Sequence, residues 1–386
     1  MVKVNKFFNL NKETKLYLLS SILAAFAVRI FGTIIQPYLG IQLQFTIFQI
    51  SLIYLILTLV EGIITLSIGI LADFINPYNL LTLSLMAISI GILFLILSDI
   101  FLVILIAMSL VYIGFSVRVP LMRVIIGRRL NKNELSIYFT IVPLTSIAAP
   151  LISAYIAQES YKVDFILTFI IIIIVILIIL RIRSIIFDVR VNNMERVDVK
   201  SYIKLVKEDK NAITLPFLIA IIRFIFGTSF LYIPLYFTEI IKGSLLELGI
   251  MFSTETIAIS LAAFPSKFLS DKLGDIKTLA ITRILAGITY ALLYFTRSPI
   301  LFIIINFIGT LFIAMDNLPE VSVISRLKTA NLSMSLIDSV STLLSISSPI
   351  IALYFWVHIS PEAVFLLSLL VIIPSIIMLN YRQFIK

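Results

Sequence analysis

VDFILTFIIIIIVILIIL, residues 163–180, is almost unbroken hydrocarbon, and VFLLSLLVIIPSIIML at 364–379 is a second block of the same kind. A bilayer's hydrocarbon layer is roughly 30 Å thick and takes about 20 helical residues to cross. Lipid offers no hydrogen bonds, so such a segment must satisfy its own backbone, which a helix does. Blocks of this length recur along all 386 residues, and 60% of the chain is apolar while only 13% is charged. A soluble domain holds about 45–50% apolar and about 25% charged residues. The chain therefore reads as an all-α polytopic membrane protein.

Twelve transmembrane helices are expected. The first six lie near 15–38, 45–70, 79–98, 100–126, 134–157 and 163–183. The second six lie near 213–237, 246–270, 276–296, 299–319, 333–356 and 362–381. The single long polar stretch, RIRSIIFDVRVNNMERVDVKSYIKLVKEDKNA, separates the two sets. This gives an N-terminal bundle at 1–183, a linker loop at 184–212 and a C-terminal bundle at 213–386. With the N-terminus placed inside, 24 of the 30 Lys and Arg fall on inward connections and tails. Only Lys162, Lys242 and Arg297 fall outside, and Arg29, Arg223 and Arg283 lie within spans. That asymmetry is the positive-inside bias, which predicts a multi-pass protein of the cell membrane with both termini cytoplasmic.

Charge and residue types also narrow the chemistry. The net charge of +9 orients the chain, so nucleic acid is not expected as a partner. The basic, polar start MVKVNKFFNLNKETK and the long first block argue against a cleaved signal peptide. There is no cysteine, and the one histidine, His358, falls in WVHISPE, which reads as a surface loop. Thiol chemistry is excluded, and one histidine makes a poor metal site. No catalytic constellation is visible, so no enzyme, metal or cofactor is expected. Membrane lipid is the expected surrounding and a monomer the expected state.

The polar punctuation repeats. GILADFINPYN ends the second segment, and SKFLSDKLGDIK ends the eighth, with Asp73 and Asp271 198 residues apart. IFGT at 30–33 returns at 225–228, Pro120 matches Pro319, and Ala149-Pro150 matches Ser348-Pro349. Six helices used twice in parallel form a transporter architecture of two pseudo-symmetric bundles around a central cavity.

In these residues the chain resembles the major facilitator superfamily, whose signature between helices 2 and 3 is roughly G-x-L-A-D-[R/K]-x-G-[R/K]. Gly69, Leu71, Ala72 and Asp73 match in the first copy, and Asp271, Lys272 and Gly274 in the second. The resemblance implies a secondary transporter that moves a small solute by alternating access. It also implies that Gly69, Asp73, Asp271, Lys272 and Gly274 form a gating motif. The carboxylate can cap a neighbouring helix start, and Gly274 suits a turn needing positive φ.

Ionisable residues inside a membrane are functional candidates by default. Arg29 and Glu61 sit at similar depths and read as an ion pair; Arg223 and Glu255 repeat the same 32-residue spacing. With Gln36 and Tyr232 these are the expected substrate or coupling residues. Arg118 and Asp316, which correspond by offset at the cytoplasmic helix ends, are expected to reach toward the interface, with an inner salt bridge between them as the alternative. TSIAAPLISA resembles the family's antiporter motif around Ala149 and Pro150, which favours a proton-coupled exporter. VRIFGTIIQPYL resembles the first helix of organophosphate:phosphate antiporters, which favours instead an organic-anion carrier using Arg29 and Arg223. A guanidinium fork suits either a phosphate or a carboxylate.

The gating motif has a direct test. Asp73→Asn keeps the size and removes the charge. Insertion is expected to be normal, with transport reduced and cysteines placed on the inner side of this cysteine-free chain labelled faster. Unchanged labelling would remove Asp73 from the gate.

Overall fold

The computed structural model describes residues 12–74, 77–129, 142, 144–182, 211–325 and 330–380. Most of the expected linker loop, and the side chains of Gly69 and Asp73, lie outside what is described. All twelve expected segments carry helix, and no strand occurs among the described residues.

In the first half the helices are α1 (Lys12–Pro37, continued by a π turn over Tyr38–Gln42), α2 (Ile47–Phe74) and α3 (Pro77–Leu97). They are followed by α4 (Phe101–Arg129), α5 (Ala148–Glu159) and α6 (Tyr161–Arg181). The second half opens with α7 (Asn211–Phe230, then Ile233–Leu235 and a π turn over Tyr236–Ile240). Next come α8a (Leu245–Leu261), α8b (Ala263–Leu273) and α9 (Asp275–Ala291). The remainder is α10a (Pro299–Ala314), α10b (Asn317–Ser325), α11a (Ala330–Ser345) and α11b (Ser348–His358). The last is α12, wound as 3-10 helix over Pro361–Val371 and as α-helix over Ile372–Asn380. Ten of these are long and apolar enough to span a membrane, and α8a with α8b, bent by 41°, makes eleven. The twelfth is α5, of which the described part is short. His358 is the last residue of α11b, exposed beside the Tyr354 ring, and so ends a helix instead of sitting in a loop.

The duplication reaches into local structure where the residues are not alike. The π turns begin at Tyr38 and Tyr236, 198 apart. Gln44 and Lys242, again 198 apart, both take positive φ (53° and 61°), which is uncommon without glycine. Each is followed by a capping box. Thr46 Oγ1 accepts from Gln49 N–H while the Gln49 amide oxygen accepts from Thr46 N–H. Ser244 and Glu247 repeat the exchange at the same offset. Reciprocal caps of this kind satisfy two free donors at a helix start.

A polar cluster is duplicated with its charges reversed. Tyr38 donates its hydroxyl to Asp99 at 3.1 Å, and Lys162 pairs with Asp99 at 3.2 Å. In the second half Arg297 donates to the Tyr236 oxygen at 3.3 Å and pairs with Glu362. Tyr38 meets Phe165 edge-on at 4.9 Å, and Tyr236 meets Phe365 edge-on at 4.9 Å. Position 99 thus matches 297, and the α6 register matches α12 at an offset of 200.

Packing follows the same plan. Helix α1 lies against α5 and α6, and α3 against α4 and α6; correspondingly α7 lies against α11 and α12, and α9 against α10 and α12. Two compact units result. One comprises Met1–Gln44, Leu59–Met194 and Leu248–Ser253; the other comprises Phe45–Thr58, Glu195–Glu247 and Thr254–Lys386.

Close approach depends on missing side chains, as it must where both phases are apolar. A Cβ on Gly114 of α4 would lie 2.5 Å from the Ser84 carbonyl of α3, whereas one on Gly32 of α1 would meet nothing within 4 Å. Gly114→Ala is therefore expected to destabilise by about 1–3 kcal/mol, the usual range for overpacking. Gly32→Ala should be neutral or stabilising, because alanine is the better helix former. Melting temperatures of the two variants in detergent will check the contrast.

Candidate functional site

The site begins with a proline. Pro319 has no N–H to give the Met315 carbonyl four residues earlier, so a continuous helix there would leave that carbonyl unpaired. The helix stops at Ala314 and restarts at Asn317. Met315 O accepts from Ser266 Oγ of α8b at 2.6 Å, a bond buried among Ala262, Ala314 and Met315. Asp316 falls in the gap, and its carbonyl accepts the Glu320 N–H at 2.9 Å. The two acids are four residues apart, so they share one face, one turn apart.

That face meets two arginines. Arg283 of α9, only 1% exposed, donates Nε to Asp316 Oδ2 at 2.8 Å and Nη2 to Glu320 Oε2. Arg223 of α7 donates Nη2 to Glu320 Oε1 and Nη1 to Asp338 Oδ1 of α11a at 2.9 Å. Glu320 therefore gives one oxygen to each guanidinium. Exposure rises along the chain of bonds: the Glu320 side chain is 8% exposed, Arg223 39% and Asp338 50%. Three carboxylates and two guanidiniums leave one negative charge in excess when all are ionised.

The pairs expected from equal spacing do not form. Among the described residues no ion pair joins Arg29 to Glu61, and both side chains are half-buried. Among the described residues α1 packs on α5 and α6. Arg223 binds Glu320 and Asp338 instead of Glu255, which accepts from Asn306 Nδ2 at 2.8 Å. The repeat register explains the error. IFGT aligns Arg223 with Val28, one residue from Arg29, and one residue turns a helix by about 100°. The capping boxes align Glu255 with Leu57, a full turn from Glu61. Equal spacing was thus not equivalence.

The remaining expected residues are placed as follows. Gln36 is buried. Tyr232 is buried too, donating to Ser51 Oγ at 2.7 Å with its ring edge-on to Trp356. Ala149 and Pro150 are buried in α5, and a Cβ on Gly249 of α8a would lie 2.8 Å from the Pro150 carbonyl. Asp271 is exposed within α8b, and Lys272 lies over the Phe268 ring at 4.2 Å. Gly274 takes φ +82° between α8b and α9, as a tight turn requires. The acid in the first turn of α9 is Asp275, which accepts from Ser322 Oγ at 2.6 Å. Arg118 and Asp316 are both buried and do not reach outward.

Arg283, Glu320 and Asp338 had no role in the sequence reading. A legible signal existed: two acids four residues apart inside one apolar span, beside an unassigned arginine in the next. The network's energetics give a test. Arg283→Gln strands buried carboxylates and should lower stability by about 3–5 kcal/mol. Asp338→Asn alters a half-exposed pair and should change it by about 0–1 kcal/mol. Thermal unfolding of the two purified variants will measure the ratio.

Comparison with known proteins completes the picture. A point mutant of the nucleoside transporter NupG superposes with a TM-score of 0.77 at 13% identity, covering 97% of this chain and 100% of the other. A peptide transporter, POT, solved with sulfate, superposes at 0.76 and 14% identity, covering 97% and 95%. A POT family transporter in complex with 5-aminolevulinic acid gives 0.75 and 14%, covering 97% and 96%. At such identities these likenesses concern the fold. No curated protein matches the sequence. The family model for the Major Facilitator Superfamily matches residues 17–243 and 215–383, nearly the whole chain. With the duplicated helices and the solved neighbours, this makes the chain a member of the Major Facilitator Superfamily, a multi-pass membrane transporter.

Proposed function

We propose that this transporter is proton-coupled and exports a small solute, and that the network around Glu320 handles a proton. The observation that carries the reading is the shared Glu320, held by Arg223 and Arg283 with Asp316 and Asp338 at the ends. Asp316 and Glu320 sit at the buried end of the network, where an excess negative charge is costly, and one bound proton removes it. A bound proton also changes which carboxylate holds which guanidinium, so the two charge states can favour different helix arrangements. Arg223, Arg283 and Glu320 lie on three helices whose repeat partners carry Val28, Leu85 and Leu121, so the first half does not repeat these three charges. The exporter direction draws on the residues around Pro150, and cytoplasmic termini draw on the 24-to-3 charge bias.

An anion carrier is the second reading, and one observation favours it: Arg29 has no ion pair among the described residues. It rests on Arg29 alone, because the donors of Arg223 already face Glu320 and Asp338.

Proteoliposomes containing the full chain test both. Candidate solutes should include nucleosides and peptides, which transporters of similar fold carry, together with organic anions. An imposed pH gradient is expected to drive accumulation that a protonophore abolishes. Glu320→Gln should keep solute counterflow and lose gradient-driven accumulation. Accumulation indifferent to pH and to Glu320→Gln would sink proton coupling. Anion transport that disappears in Arg29→Gln alone would establish the second reading.

A further inference from the structure

Asp164 stands in the first turn of α6, fully buried at 0% exposure, and neither carboxylate oxygen has a hydrogen-bond partner among the described residues. Its polar neighbour is Ser153 of α5, also fully buried, whose hydroxyl donates to the Ile30 carbonyl of α1 at 3.0 Å. With that proton directed at Ile30, Ser153 has none left for Asp164.

None of the surrounding charges pairs with Asp164 among the described residues. On α6 itself, Lys162 pairs with Asp99 after α3, and the Tyr161 ring lies against Tyr38. On α1, Tyr38 donates to that same Asp99, and Arg29 makes no ion pair among the described residues. On α5, Tyr155 and Glu159 are exposed. Among the described residues no cation pairs with Asp164, and an isolated ionised carboxylate is far too costly to bury.

The fold does not require an acid there. The α12 residue matching Asp164 is Val364, buried at 2%, and the α11 residue matching Ser153 is Ala352, buried at 0%. The flanking matches are close: Ser160 and Ser360 cap the two helices in the same extended conformation, and Phe165 and Phe365 meet their tyrosines alike. One half packs the position with two apolar side chains, and the other places a hydroxyl and a carboxyl in it.

We propose that Asp164 is a proton-binding site of the N-terminal half, occupied in the conformation described. Protonated, the carboxyl can turn its O–H to Ser153 Oγ. That completes a chain from α6 through Ser153 to the Ile30 carbonyl of α1. Deprotonated, Asp164 needs a donor, and the nearest is the same Ser153 hydroxyl, which would have to leave Ile30. Proton loss thus removes a bond between α5 and α1. The use of this proton in transport rests on the proton-coupled reading above, whereas its presence does not.

The experiment is infrared difference spectroscopy of the purified full chain in lipid nanodiscs across a pH series. The wild type is expected to show a carboxylic-acid C=O band at neutral pH, converted to carboxylate on alkalinisation and lost in Asp164→Asn and Asp164→Val. Asp164→Val, which copies the twin position, should also melt higher than wild type. Absence of a band difference between wild type and Asp164→Asn would overturn the proposal, as would a band that never titrates or a lower melting point for Asp164→Val. In proteoliposomes, loss of pH-driven accumulation with counterflow retained in Asp164→Val would support a coupling role. Accumulation unchanged in that variant would overturn the coupling role.

Discussion

Lipid cannot hydrogen-bond, and the polar groups buried among the described helices are arranged around that fact. A carbonyl released by a proline must find a hydroxyl inside the protein, as Met315 does with Ser266. A guanidinium within a span must find carboxylates, and Arg283 finds two. The break that Pro319 forces in α10 is what puts Asp316 and Glu320 where two arginines can reach them. One backbone constraint therefore places most of the charge network, and the network ties α7, α9, α10 and α11 together.

The duplication supplies an internal control on each residue. Where the halves agree in geometry but not in sequence, the shared feature belongs to the scaffold. The π turns, the positive-φ residues before α2 and α8a, and the capping boxes are of this kind. The clusters on Tyr38 and Tyr236 go further, because they keep the geometry while exchanging the signs of the charges. Being largely exposed, such pairs contribute little energy. Their tyrosine serves as donor in one half and as acceptor in the other.

Where the halves differ, the scaffold's needs are met either way, and function becomes the better account. Leu85 and Leu121 show that the fold tolerates apolar residues at the positions of Arg283 and Glu320. Val364 shows the same for Asp164. Among the described residues the second half thus carries a saturated ionic network, and the first a fully buried acid with a serine beside it. The two are different solutions to holding a titratable group in hydrocarbon: shared counter-ions in one, neutrality in the other.

The class of the protein, its helices and its duplication were legible in the sequence, because each rests on patterns local to one segment or on the chain compared with itself. Block length gives spans, Asp73 and Asp271 give the repeat, and Gly274 announces its turn by its own conformational freedom. Partnerships between helices were not legible. Arg29 and Glu61 share a spacing with Arg223 and Glu255, yet a one-residue slip rotates a side chain by about 100°. Which helix lies beside which then decides whether two charges meet. Arg223 chose Glu320 and Asp338 over Glu255 because α7 packs against α11 and α12, and the broken α10 turns its acids toward α7 and α9. Periodicity determined where the polar residues lie along each helix; only the packing of the helices decided which of them touch.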